Sequence, residues 1–409
     1  MSLAQRLSLE LSELDKKGQR RQLRVIEEIK ETQIRLSGCK LCNFSSNDYL
    51  GLSTHPALRE AALEAMTRFG NGATASRLIC GTSKEHALLE EELAVAKKTE
   101  AALVFSTGYA ASTGAIPALM RKEDVIILDK LAHASLIDGA RASNAILRVF
   151  RHNDLQQLEE QLIWARKKFP HSEIMIITES IFSMDGDAAP LKEVVALKEK
   201  YGALLFLDEA HALGVRGKKE GRMGGLAGEL GLNDRIDIQM GSLGKAVGVS
   251  GGYLCASRLL IDYLINRTRS FIYSTAPTPA VAAAARTAIK IINSTEGEKL
   301  ADRLWKNITQ LTHSLSSLFE STASTSTFNF TCCEAASAIL PLILGKETTA
   351  LAAAEQLLEG GFFVPAIRYP TVARGKARLR ITLSANHTFE EIDLFAQKIR
   401  SYTTRKNIF

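Results

Sequence analysis

What the chain lacks narrows its class first. No apolar run reaches the roughly 18 residues a membrane-crossing helix needs. The opening MSLAQRLSLELSELDKKGQRRQ is amphipathic and charged, without the apolar centre of a signal peptide. The expectation is a cytoplasmic protein with no membrane partner. Proline is scarce, 9 residues among 409, and charged residues make up 23%, which excludes a disordered chain. An excess of one charge is also missing: 51 Lys and Arg against 45 Asp and Glu leave +6, spread along the sequence. That suits an anionic substrate or an acidic partner and is too weak to argue for nucleic acid. Cysteine is sparse as well, at 6 residues, with Cys39 and Cys42 in a lone CxxC and Cys332 next to Cys333. A zinc site would need a second ligand pair at similar spacing. None is present, so no metal is expected and the cysteines read as reduced thiols.

What is present is a large apolar fraction, 46% of 409 residues, enough to build a core across two or three domains. ALVFST (102–107), DVIILD (124–129), EIMIITE (173–179), ALLFLDE (203–209) and GGYLCAS (251–257) are short, apolar and bounded by turn residues. Helical stretches such as NDLQQLEEQLIWARKKF (153–169) and LKEVVALKEKYG (191–202) separate several of them. Uninterrupted apolar strands alternating with helices indicate a mostly parallel sheet covered on both faces, hence an α/β protein. A small-residue helix, PTPAVAAAARTAIKIIN (277–293), closes that region, and strands near 337–344 and 376–384 belong to a smaller C-terminal α/β domain. The expected divisions are an N-terminal helix and irregular arm over 1–45, a large domain over 46–290 and a small domain over 291–409. The tract STASTSTFNFT (321–331) reads as a loop.

In an open α/β sheet, ligands bind beyond the carboxyl ends of the strands. GYAASTG follows the first strand, KLAHAS with His133 the second, and SIFSMDGD with Ser183 the third. The fourth ends on Asp208, with His211 just beyond, and IDIQM leads into GSLGK with Lys245. A phosphate-binding P-loop does not fit, because Ala246 follows Gly244-Lys245 and position 239 is Gln. Asp208, the terminal carboxylate of a buried strand, needs a positive partner. Pyridoxal 5′-phosphate uses all of these parts: a lysine for its Schiff base and an aspartate for its pyridinium nitrogen. Its phosphate suits backbone N–H groups at a helix start, which Gly108 and Tyr109 supply. A desolvated or charge-crowded lysine serves as nucleophile and base.

The order GY (108–109), HAS (133–135), SMDGD (183–187), DEAHALG (208–214) and GSLGK (241–245) resembles the α-oxoamine synthase family, from about residue 40 to 390. The resemblance implies a fold-type-I pyridoxal-phosphate transferase that condenses a small amino acid with an acyl thioester and releases CO2. NFSSNDYLGL (43–52), FSMDGDAAPL (182–191), IYST (272–275) and AIRYPTVARGKARLRITLSANH (366–387) are similar to the alanine-using branch. ATASRLICGT (73–82) is similar to the glycine-using branch, so glycine or serine stays an alternative to L-alanine. By the same resemblance Lys245 carries the cofactor and shuttles the Cα proton. Asp208 pairs with the ring nitrogen, His133 stacks on the ring, and His211 reaches its hydroxyl with Ser183 nearby. Gly108, Tyr109 and Ser242, the last where Thr is usual, hold the phosphate. Thr275 reaches the phosphate of a neighbouring subunit, implying a homodimer with shared sites. Arg380 grips the amino-acid carboxylate with a planar fork, and Asn47 lines the substrate side. Arg21, with Arg20 adjacent, and Thr371 contact the acyl substrate, carried by coenzyme A or an acyl carrier protein. His55, His86, His152, His171, His313 and His387 receive no role. A transcription regulator on the same fold would need a DNA-binding domain of some 60 residues ahead of the core, where about 40 stand.

Overall fold

The structure, a computed structural model, describes residues 1–217, 224–320 and 335–404. The Ser/Thr tract 321–331, Cys332 and Cys333 lie outside the described residues. The chain forms two compact units: Met1–Ser46 with Leu304–Phe409, and Asn47–Arg303. The division falls inside the helix Thr295–Glu320.

The first unit opens with the helix Leu3–Lys16, started by a capping box between Ser2 and Gln5. Where the sequence suggested an irregular arm, strands β1 (Ile26–Lys30), β2 (Gln33–Leu36) and β3 (Cys39–Asn43) pair as an antiparallel meander. They escape a periodicity reading because β1, IEEIK, is exposed at every position and β2 has only 4 residues. Ile34, Leu36 and Leu41 form the buried cluster of this sheet. Cys39 and Cys42 are free thiols, and no metal-ligand cluster occurs among the described residues.

The second unit holds a seven-stranded sheet. Its strands are β4 (Ala101–Phe105), β5 (Val125–Asp129), β6 (Ile146–Phe150), β7 (Ile174–Glu179), β8 (Leu204–Asp208), β9 (Ile238–Ser242) and β10 (Gly252–Ala256). Their order is β4-β10-β9-β8-β7-β5-β6. β6, β5, β7, β8 and β9 run parallel, whereas β10 is antiparallel to both neighbours. β4, β5, β7 and β10 are buried along their whole length, as continuous apolar runs require of a sheet covered on both faces. β6, ILRVF, was not expected: it is the sheet edge, half exposed with Arg148 at its centre. The chain leaves β4 into the helix Gly108–Leu119, β5 into Ala134–Ala142 and β9 into the turn that carries Lys245. Site residues therefore gather at one rim.

The first unit is completed by β11 (Ile339–Gly345), β12 (Phe362–Phe363), β13 (Ala366–Ile367) and β14 (Ala377–Thr382). β11, β14 and β13 make an antiparallel sheet, while β12 joins β3 in parallel. All six residues of β14, ARLRIT, are buried, both arginines included. Just beyond it His387 stacks on Phe44 at 4.2 Å. Its Nδ1 accepts from the Ser384 N–H at 2.9 Å and its Nε2 faces the Asn43 carbonyl at 3.1 Å, which defines a neutral tautomer. Burial holds His387 down at about 4, below the usual 6.5. The unfolded chain therefore takes up the proton first as pH falls, and stability drops between pH 6.5 and 4. Replacing His387 by Asn should abolish a loss of about 2 kcal/mol between pH 7 and pH 5, read from urea unfolding at the two pH values.

Candidate active site

Thr107 caps the helix that follows β4, its hydroxyl accepting from the Ala110 N–H at 3.0 Å. Gly108 begins that helix where backbone meets backbone: a Cβ on Gly252 would lie 2.4 Å from the Gly108 nitrogen, and one on Gly108 would lie 2.9 Å from the Met240 methyl. The same Cβ would lie 3.8 Å from that of Ser242, so Gly108 and Ser242 are neighbours. Helix-start N–H groups beside a hydroxyl form a cradle for a phosphate. The exposed Tyr109 phenol donates to Asp138, so its part in the cradle is its backbone.

Lys245 sits in the tight return from β9 to β10. Leu243 N–H donates to Gly251 O at 3.0 Å, Val249 to Leu243 O at 2.9 Å and Gly248 to Lys245 O at 2.8 Å. Gly248 has φ +74°, and a Cβ there would lie 2.5 Å from the Ser53 nitrogen. Leu243, Ala246 and Val247 are buried. The glycine-rich segment is thus a constrained loop that holds a half-buried lysine beside the sheet rim, not a flexible surface tether.

Asp208 ends β8 buried, its Oδ1 accepting from the Ala210 N–H at 2.8 Å. Directly across in register, Glu179 ends β7. Burial raises the Glu179 carboxyl well above its ordinary range, and the Asp208 charge adds to it. Lys245 and the His133 N–H oppose the shift without cancelling it. Glu179 is therefore a carboxyl that resists ionisation beside Asp208. His133 caps the helix Ala134–Ala142 through Nδ1, which accepts from the Ser135 N–H at 3.2 Å. Part of the ring is open, yet the walls of the site desolvate it and lower its pKa, Lys245 adding to this and Asp208 opposing it. Its neutral ring is free to lie against an aromatic face. Beyond Asp208, the buried His211 Nδ1 meets the Tyr49 hydroxyl at 2.7 Å, and that hydroxyl reaches Asn47 Oδ1 at 3.2 Å. Ser183 is buried in the turn after β7.

The second unit thus brings His133, Asp208 and Lys245 within electrostatic reach of one another and sets Gly108 against Ser242. Thr275 lies in a bridge with Ser76 and lines a small recess with Arg77 and Phe271. Arg21, Thr371 and Arg380 belong to the first unit, where Arg21 donates to Thr371 Oγ1 at 3.1 Å and Arg380 is buried in β14. Sequence reasoning missed Tyr49, Glu179, Lys97 and Glu209. Lys97 ends the helix Lys84–Lys97 fully buried, its ammonium paired with Glu209, the residue after Asp208. Tyr49 and Glu179 stood inside quoted motifs. Nothing in Lys97-Lys98 separates a buried lysine from a solvated one.

A phosphate cradle, a buried carboxylate for a ring nitrogen, a neutral histidine for the ring face and a lysine at the rim fit pyridoxal 5′-phosphate. The chain belongs to the aminotransferase class I and II family, whose model matches residues 40–399. Within it the chain is an α-oxoamine synthase, similar to the 8-amino-7-oxononanoate synthases. It is 44% identical over 385 residues to that of Geobacter sulfurreducens, 94% of each chain being covered. The crystal structure of 8-amino-7-oxononanoate synthase from Francisella tularensis matches with TM-score 0.71 and 28% identity, over 88% of this chain and 98% of that one. A serine palmitoyltransferase variant from S. paucimobilis, with a bound PLP–myriocin aldimine, matches with TM-score 0.89 and 31% identity, over 98% of this chain and 99% of that one.

Proposed function

We propose that the chain condenses L-alanine with a pimeloyl thioester, releasing CO2 and the free thiol, to form 8-amino-7-oxononanoate for biotin biosynthesis. The observation that carries this is the 44% identity to an 8-amino-7-oxononanoate synthase along nearly the whole chain. The structural likeness to a serine palmitoyltransferase supports the serine-using alternative, but at 31% identity it is the weaker guide to substrate. The proposal includes a homodimer sharing its sites through Thr275, an acyl donor on coenzyme A or a carrier protein, and a cytoplasmic location. No helix among the described residues is long and apolar enough to cross a membrane.

Pyridoxal 5′-phosphate supplies covalent attachment for the amino nitrogen and an electron sink for the α-carbon. The chain does the rest. Gly108, Tyr109 and Ser242 would hold its phosphate, Asp208 would keep a proton on its ring nitrogen, and His133 would lie against its ring. His211 and Ser183 would orient its ring hydroxyl, with Tyr49 and Asn47 bonded in turn behind His211. Arg380 holds the alanine carboxylate and so fixes which α-carbon bond is aligned to break. The Lys245 amine removes the α-proton and later returns one. Arg21 and Thr371 seat the acyl chain, whose carbonyl carbon bonds to the α-carbon as the thiol departs; the bond from the α-carbon to the carboxylate then breaks to release CO2, and the returned proton takes its place. Steady-state assays with alanine, glycine and serine, each with pimeloyl-CoA and acetyl-CoA, test the assignment. Alanine with pimeloyl-CoA should exceed every other pair in kcat/KM by at least about tenfold. Turnover confined to glycine with acetyl-CoA, or to serine, would overturn it.

A further inference from the structure

Beyond the residues proposed to hold the cofactor lies a second ionic cluster in the same unit. His152 follows the edge strand β6, with Nδ1 3.1 Å from Asp129 Oδ1 and Nε2 2.7 Å from Asp187 Oδ2. Both partners are carboxylates, which only accept. The ring satisfies both only with a proton on each nitrogen, as an imidazolium. Asp129, fully buried at the end of β5, also accepts from the Leu131 N–H at 2.8 Å and the Asn153 N–H at 3.1 Å. It thereby shapes the turn into His133. Asp187 closes the turn that holds Ser183: Phe182 N–H donates to Asp187 O at 3.0 Å and Gly186 N–H to Phe182 O at 2.8 Å. An Ile181–Ala188 bridge seals the base of that turn. Asn153, at φ +55°, donates to Asp187 Oδ2 at 3.1 Å and Ala188 O at 3.2 Å. The Phe182 ring meets the His152 ring edge-on at 4.3 Å.

We propose that His152 is a positioning residue that ties the His133 loop to the Ser183 loop and so sets the geometry of the cofactor site. The proposal rests on the site assignment above. The two carboxylates on the imidazole come one from each of these loops, Asp129 from the His133 side and Asp187 from the Ser183 turn. The groups facing the ring are Asp129 from β5, Asp187 and Phe182 from the Ser183 turn, and Asn153; the neighbouring Arg151 is paired with Asp154 at 2.6 Å. Burial pulls the imidazolium pKa down, but hydrogen bonds to Asp129 and Asp187 and their charges outweigh it and lift it to about 10. The bracket is therefore closed at neutral pH and loosens as pH rises towards that value.

The test is the dissociation constant of pyridoxal 5′-phosphate for cofactor-free protein, titrated by absorbance between pH 7 and 10, beside the thermal midpoint of the same cofactor-free samples. His152→Gln keeps one donor and loses the charge. It should weaken cofactor binding about tenfold at pH 8, the loss of one charge-assisted hydrogen bond. Asp187→Asn leaves the Asp129 bond intact and should move the alkaline loss of affinity to lower pH. A purely structural His152 would lower the thermal midpoint with the dissociation constant within twofold of wild type, and that outcome overturns the proposal. If His152→Gln does not fold, Asp187→Asn decides: an unmoved alkaline limb refutes the bracket. His133→Ala and Ser183→Ala separate the two levels. If they weaken the cofactor and His152→Gln does not, the bracket alone fails; if neither does, the site assignment fails with it.

Discussion

Replacing Lys245 by alanine is expected to lower kcat/KM for alanine and pimeloyl-CoA by on the order of 10⁴-fold or more, because one amine serves as both nucleophile and general base. The fold should survive. The turn is held by backbone bonds, among them Gly248 N–H to Lys245 O at 2.8 Å, and by buried Leu243, Ala246 and Val247. None of these uses the lysine side chain. Three measurements check it: steady-state rates, the visible absorption that pyridoxal 5′-phosphate takes on when bound to a lysine, and far-ultraviolet circular dichroism. Loss of both rate and band with an unchanged dichroism spectrum is the expected result. Activity within about tenfold of wild type would assign the chemistry to another amine. Lys245→Arg keeps the charge but cannot lose its proton near neutrality, so it should be as inactive as the alanine variant. That separates a catalytic amine from a mere positive charge.

The parts legible in the sequence are those where burial leaves an uninterrupted apolar run. β4, β5 and β7 are buried throughout and read directly as VFST-, IILD- and IITE-type strands. Their order along the chain, with β8 after them, puts His133, Ser183 and Asp208 at one rim. β6 escaped because a sheet edge tolerates Arg148 and exposed positions, and β1 to β3 because their strands are short and mostly wet. At the site, the residues read from motifs are those that need a specific chemical type there: Asp208, His133 and Lys245. Residues whose role comes from a distant partner are not read this way. His152 is explained only by Asp129 and Asp187, 23 and 35 positions away, and Lys97 only by Glu209, 112 positions away. A charge in a sequence is read as solvated unless its counter-charge is known, and one sequence does not pair them.

Lys97 is where that blindness has its largest energetic consequence. Its side chain and that of Glu209 are both fully buried. The ammonium also donates to Gly224 O at 3.1 Å, and Glu209 Oε1 accepts from the Ala227 N–H at 3.0 Å. Gly225, at φ +65°, lies so close that a Cβ there would be 2.5 Å from the Glu209 carboxylate. The pair thus pins Glu209, the residue after Asp208, to the helix Lys84–Lys97. Lys97→Met strands a carboxylate in a dry site and should cost about 3–5 kcal/mol, seen as a lower urea midpoint. Glu209→Gln added to it removes the stranded charge while keeping an acceptor for Ala227, and should recover most of that loss. Cofactor affinity should follow stability in the single variant, because Glu209 shares its turn with Asp208, and return in the double. A shift below about 1 kcal/mol for Lys97→Met would mean that water reaches the pair, contrary to its burial. Recovery of stability without recovery of cofactor affinity would mean that the charge of Glu209 itself, and not only its placement, acts on Asp208.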